Sequence, residues 1–177
     1  KNDSIVLKRV NTKLERIGLN YAGTAQVVHF MMLLDEKKEE IKKLIRNPLK
    51  GLRVATHTGC HLLRPSRLTG YDNSENPLKF DELIISLGGI PVDYSKKTLC
   101  CGNSVITAEK SMSLEMIKDK FEELARKEID CLAVCCPSCF MQYDRNQVLL
   151  KANYAMEANI PVVHVFQILG LAFGLKT

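Results

Sequence analysis

The sequence predicts an α/β protein, a parallel sheet of about four strands covered by helices in a Rossmann-like arrangement, with an N-terminal helical segment. Two observations carry this. From residue 51 onward, short apolar runs alternate with amphipathic stretches, the pattern of parallel strands joined by covering helices. Before residue 51 the apolar residues recur only at helical spacing.

Taken in order, Val6, Val10, Leu14 and Ile17 mark one face of a first helix, broken by Gly18 and residues 20–23. A second helix is expected from about Thr24 to Arg46, stopped by Asn47–Pro48. Its run DEKKEEIKKLIR (35–46) mixes both signs of charge, as a solvated helix face does. The first strand is LRVATH (52–57). Asn76–Pro77 then opens a helix, with Asn as N-cap and Pro at the first helical position, which ends at Gly88–Gly89. The second strand is IPVDY (90–94). Leu114, Ile117, Phe121 and Leu124 place a long amphipathic helix over Ser104–Glu128. CLAVC (131–135) is the third strand, followed by a helix over Ser138–Asn159. PVVHV (161–165) is the fourth, and VFQILGLAFGL (165–175) a closing helix. Val54, Val92, Val134 and Val163 fall in buried strands. The chain divides into a helical connecting segment from a truncated upstream domain, 1–50, and a cysteine-rich domain, 51–177.

The 177 residues are 46% apolar and 25% charged, which excludes disordered and fibrous classes. The net charge of +5 comes from basic residues scattered among acids, with no Trp, so nucleic acid is not an expected partner. The most apolar stretch, Val165–Leu175, falls far short of the ~20 residues of a membrane span. No signal peptide opens the chain, and Lys1 in place of Met reads as a piece of a longer protein. Phosphate loop, nucleophile elbow and zinc-protease helix motifs are absent, which removes support for hydrolase and nucleotide-binding readings.

The seven cysteines, Cys60, Cys100, Cys101, Cys131, Cys135, Cys136 and Cys139, carry the chemistry. An odd number with two adjacent pairs makes a poor disulfide framework, so metal binding or redox work in a reducing cytoplasm is expected. Cys60, Cys100–Cys101 and Cys136/Cys139 follow three successive strands, and ligands gather at the carboxyl ends of strands in an open parallel sheet. Three loops thus bring five thiols to one edge, with helix N-termini near Cys101 and Cys136 to favour thiolates. A structural zinc takes four ligands. Five thiols with adjacent neighbours suit an iron–sulfur cluster better, since its ligands divide among several irons. Cys131, at the opposite end of its strand, and Cys135 are read as packing residues.

Cys60, Cys100–Cys101–Gly102 and Cys136-Pro-Ser-Cys139, at their spacing along the chain, resemble the cysteine-rich CCG domain, and around them stand the more specific stretches GCHLLRPS (59–66), YDNSENP (71–77), CCGNS (100–104), CCPSCFMQYD (135–144) and the terminal LGLAFGL. More narrowly, they are similar to the C-terminal portion of the heterodisulfide reductase B subunit and its relatives, over nearly the whole chain. The spacing before Cys136 is a residue or two shorter than that family's usual. The resemblance implies a noncubane [4Fe-4S] cluster on Cys60, Cys100, Cys101, Cys136 and Cys139. It also implies two such clusters facing a shared cavity, where the coenzyme M–coenzyme B heterodisulfide is cleaved in one-electron steps. The implied partners are the other subunits of a heterodisulfide reductase-like complex and a small thiol or disulfide. Related CCG proteins serve succinate, glycolate or lactate, and sulfur oxidation, and the motif alone does not choose among them. The competing reading is a non-catalytic zinc module that docks subunits.

His57 and His61 flank Cys60, and either could protonate a departing thiolate; each could equally be a hydrogen-bonded structural residue. Arg64 and Arg67 could attract an anionic substrate, and Arg64 could instead anchor its own loop. Lys96 and Lys97 are read as solvated surface, His29 and His164 as structural, and Met31 and Met32 as filler.

Overall fold

A computed structural model describes residues 3–156 and 159–176. Four strands, β1 (Arg53–His57), β2 (Ile90–Pro91), β3 (Cys131–Val134) and β4 (Val162–His164), form one sheet in the order β2-β1-β3-β4. Every pair is parallel, with Val54 opposite Cys131 and His57 opposite Val134 across the centre. The chain runs outward from β1 to β2 and then crosses back to β3 on the other side of β1. That reversal puts a crevice between the ends of β1 and β3, the place where open α/β sheets bind ligands.

Alternation along the strands decides which helices cover which face. Val54, Cys131 and Ala133 face one core with Phe80, Leu83 and Ile84 of α6 (Lys79–Ser86) and Ile168 of α10 (Val165–Ala172). Ala55, Leu132, Val134 and Val162 face a second core with Ile117, Phe121 and Leu124 of α7 (Lys110–Leu124), Tyr143 of α8 (Pro137–Arg145) and Leu150 of α9 (Gln147–Tyr154). Ile117, Phe121 and Leu124 are wholly buried, and each such side chain contributes roughly 1.5–3 kcal/mol of transfer free energy.

The N-terminal part divides at about residue 29. α1 (Ser4–Leu14), capped by the Asp3 carboxylate, buries none of its side chains. Residues 24–29 are not helical, so the expected second helix starts late and breaks at Lys37 into α2 (Phe30–Glu36) and α3 (Lys38–Leu44). Met31 and Ile41 enter the same core as α6. Ion pairs from Lys38 to Glu82 (2.7 Å) and Lys79 to Asp35 (2.6 Å) fix them there.

Several boundaries move for local reasons. α6 starts at Lys79 rather than Pro77, because the Asp72 carboxylate accepts the Leu78 and Lys79 N–H groups at 2.9 and 2.8 Å. β2 stops at Pro91, which leaves Val92 half-buried beyond its end, although its N–H still reaches Val54 O. Val54 and Val134 are buried strand residues, and Val163 is half-buried. Residues 103–108 form turns, so α7 starts at Lys110 with Glu109 as its cap. The helix expected over Ser138–Asn159 breaks at Asn146 and ends at Tyr154; residues 157–158 lie outside the described residues, as do Lys1 and Asn2. Two short helices, α4 (Cys60–Leu63) and α5 (Ser66–Thr69), were not expected. Lys97 is not solvated surface: it is 5% exposed and its ammonium pairs with Asp81. Lys96 is half-buried and pairs with Asp119. Among the described residues no helix is long and apolar enough to cross a membrane.

Candidate metal centre

The loops leaving β1, β2 and β3 meet at the crevice. They line a cavity of about 240 Å³ whose wall includes all five of Cys60, Cys100, Cys101, Cys136 and Cys139. Two glycines make the approach possible. Gly59 has φ +83°, and a Cβ there would meet the Cβ of Cys136 at 3.4 Å. Gly102, directly after the cysteine pair, has φ +77°; a Cβ there would lie 3.0 Å from the Ser113 Oγ and 3.1 Å from its carbonyl oxygen. Ser113 in turn donates to Gly102 O at 3.0 Å and accepts from Gln142 Nε2 at 2.6 Å, which locks the pair against α7 and α8. Cys136 is the N-cap of α8 and Pro137 occupies its first turn.

The sulfurs are close enough to share protons. Cys139 shares its thiol proton with Cys101 and Cys136, and this, with burial, holds its pKa far above the ordinary thiol value. The same contact is the main reason Cys136 is pulled down to about 5, helped by the Cys139 and Ser138 N–H groups at the helix start. Cys101 is drawn down to about 6, again chiefly by Cys139, with the Asn103 N–H assisting. Cys60 is pushed up by burial and then by its neighbours Cys100 and Cys101.

The remaining predicted residues separate clearly. His61 is exposed and lies on the cavity wall. His57 lies behind the cysteine loops, off that wall and 1% exposed. Its Nδ1 is 3.0 Å from Lys97 O and 3.1 Å from Lys120 Nζ, while its buried Nε2 has no partner. Burial, then the Lys120 charge, pushes its pKa well below the ordinary imidazole value, so it stays neutral. Arg64 is off the wall and holds its own loop through Ser74 O (3.2 Å) and Glu75 (3.3 Å). Arg67 is exposed. Cys131 is buried in the sheet with its pKa raised by burial to about 11. Cys135 reaches the cavity wall, but its thiol donates to Thr58 O at 2.7 Å and burial lifts it to about 12. His164 caps α10, and Met31 sits in the core.

Sequence reasoning missed three features. His29 caps α2 through a 3.2 Å bond from Met31 N–H, yet with Phe30 it also forms part of the cavity wall. Nothing in a lone His before an apolar run signals that. Lys97 and Asp81, with the Thr56 hydroxyl on the same carboxylate at 2.5 Å, form a buried polar cluster under the site. Lys120 is buried on the α7 face that Ile117, Phe121 and Leu124 define. A cation at the i+3 position of an apolar stripe was the available signal.

Among the described residues no three His, Cys, Asp or Glu side chains are set to hold a single metal ion. The donor set, five thiols on three loops with two of them adjacent in sequence, fits a group containing several metal atoms.

A family model for the cysteine-rich domain, CCG, matches residues 54–144. The chain is 38% identical, over 99% of its length, to the B subunit of the ferredoxin/F(420)H(2)-dependent CoB-CoM heterodisulfide reductase of Methanosarcina acetivorans. It is 32% identical, over 94% of its length, to the 8-methylmenaquinol:fumarate reductase membrane anchor subunit of Wolinella succinogenes. It spans 60% of the first of these relatives and 59% of the second. Among solved structures, a hypothetical protein from Helicobacter pylori superposes with a TM-score of 0.71 at 13% identity, covering 99% of this chain and 31% of that one. That last likeness speaks to the fold alone.

Proposed function

Because the chain belongs to the cysteine-rich CCG domain family and is related to the heterodisulfide reductase B subunit over nearly its whole length, we propose that it binds a noncubane [4Fe-4S] cluster. The ligands would be Cys60, Cys100, Cys101, Cys136 and Cys139, and the role one half of a disulfide-reducing site in an oxidoreductase subunit. The observation that carries this reading is the convergence of those five thiols on one cavity at the β1/β3 reversal. The cluster, when bound, would supply one-electron transfer to a small disulfide, which leaves as two thiols, and the coenzyme M–coenzyme B heterodisulfide is the substrate we favour.

The chain's own residues prepare the site. Gly59 and Gly102 let the loops close together, and the start of α8 favours the Cys136 thiolate. His61, on the wall, is the group we assign to proton donation at a departing thiolate. His57, through Lys97 O, holds the segment that leads to Cys100, and Arg64 holds the loop that follows Cys60. In this reading residues 51–177 form the cluster-binding unit in a cytoplasmic complex, 1–50 lead in from another domain, and further subunits deliver electrons. Anaerobic reconstitution with iron and sulfide tests it. A brown protein with matched iron and acid-labile sulfide is expected. A colourless protein that takes one zinc would overturn the cluster and leave a docking module.

A further inference from the structure

Lys120 is wholly buried, in a class of residue almost never found so without a counter-ion. Its ammonium reaches through the second core to the edge of the sheet that carries the cysteines. There it donates to Leu99 O at 3.1 Å, the carbonyl just before the Cys100–Cys101 pair, and lies 3.1 Å from His57 Nδ1. The rings of Tyr94 and Tyr143 stand 5.6 and 5.4 Å from it. Among the described residues no carboxylate pairs with it. Asp81 is committed to Lys97, and Glu123 to Ser95 and to the Lys96 N–H. Burial pushes its pKa down to about 7, and negative charge placed on Cys139, Cys101, Cys100 or Glu123 would push it back up. A buried cation without a carboxylate, bonded to the carbonyl that leads directly into the Cys100–Cys101 pair, is electrostatically incomplete until the cysteine site beside it carries negative charge.

We infer that Lys120 is the fixed counter-charge of the cysteine site, and that it raises the reduction potential of the group held there. The inference rests on the cluster reading above. One-electron reduction adds a negative charge without making or breaking a bond, and a cation behind the ligands stabilises the reduced form more than the oxidised one. Lys120 touches neither substrate nor the reacting atoms in this role, so it tunes the site rather than catalysing.

The test is a dye-mediated redox titration, followed by electron paramagnetic resonance, of the full chain after anaerobic reconstitution. Lys120→Met, matched in length and neutral, should lower the reduced-to-oxidised ratio at fixed poise about tenfold, a downward shift of about 59 mV for one electron. Lys120→Arg should restore most of it. A folded Lys120→Met protein that loses its iron while Lys120→Arg keeps it would support the same role. Full iron occupancy with the wild-type potential in Lys120→Met would overturn it. If Lys120→Met does not fold, nitrogen-15 spectra of lysine side chains in the loaded wild type decide the matter. A protonated Lys120 at neutral pH supports the counter-charge, and a neutral amine refutes it. Failure of the wild type to take up iron and sulfide would instead strike at the cluster reading, and this inference would fall with it.

Discussion

Replacing Gly102 by Ala probes the backbone device that sets the cysteine pair. The residue has φ +77°, where a side chain costs about 1–2 kcal/mol of backbone strain. The new methyl would also press on Ser113, whose Oγ lies 3.0 Å, carbonyl oxygen 3.1 Å and Cα 3.3 Å from the added Cβ. Moving Ser113 weakens its bond to Gly102 O and the one from Gln142, each worth about 0.5–1.5 kcal/mol. The combined loss is about 2–4 kcal/mol. For a chain of this size each kcal/mol shifts the melting temperature by about 2–4 °C, so a fall of roughly 4–16 °C is expected. Urea unfolding and thermal melts of the reduced, metal-free protein measure it. Gly70→Ala is the internal comparison: its φ is +55° and its ψ 17°, and an added Cβ there meets nothing within 4 Å. It should lose less, about 1–2 kcal/mol. Gly102→Ala within about 0.5 kcal/mol of wild type, or no worse than Gly70→Ala, would refute the packing argument.

Three further outcomes follow from the same geometry. Cys131→Ala should keep its iron at a packing cost of about 1 kcal/mol, whereas Cys139→Ala should lose or alter it; iron content and visible spectra of the two variants decide, and the reverse order would break the ligand assignment. In the metal-free protein Cys136, with a pKa of about 5, is thiolate at neutral pH, and its alkylation should slow only as pH falls towards that value. Cys131 and Cys135, at about 11 and 12, should stay unreactive until strongly alkaline pH, and mass spectrometry showing either labelled first at pH 7 would contradict this. Asp81→Asn strands the buried Lys97 ammonium and should cost about 3–5 kcal/mol in urea unfolding, and a loss below about 1 kcal/mol would mean that Lys97 finds water instead.

The sheet was legible because parallel strands buried on both faces read as apolar runs, as CLAV of β3 does. The cysteine loops were legible because each thiol group follows a strand, and parallel connectivity sends those ends to one edge. What escaped reading depends on contacts across sequence. Asp72 caps α6 from six and seven residues upstream, which no N-cap pattern encodes. Lys97 reads as surface until Asp81, 16 residues away, is folded against it. His29 enters the cavity wall only because α2 docks beside the cysteine loops. Ala155 ends α9 in a left-handed conformation, φ +50°, where a Gly or Asn would have announced the stop.

The central claim is that three loops assemble one site for several metal atoms. X-ray absorption at the iron edge of the anaerobically loaded protein tests it most directly. The account predicts a sulfur shell around iron together with scattering from neighbouring iron atoms, at about four irons per chain, and loss of that iron–iron signal in Cys101→Ala. An isolated metal with four sulfur neighbours and no second metal, unchanged in Cys101→Ala, would contradict it.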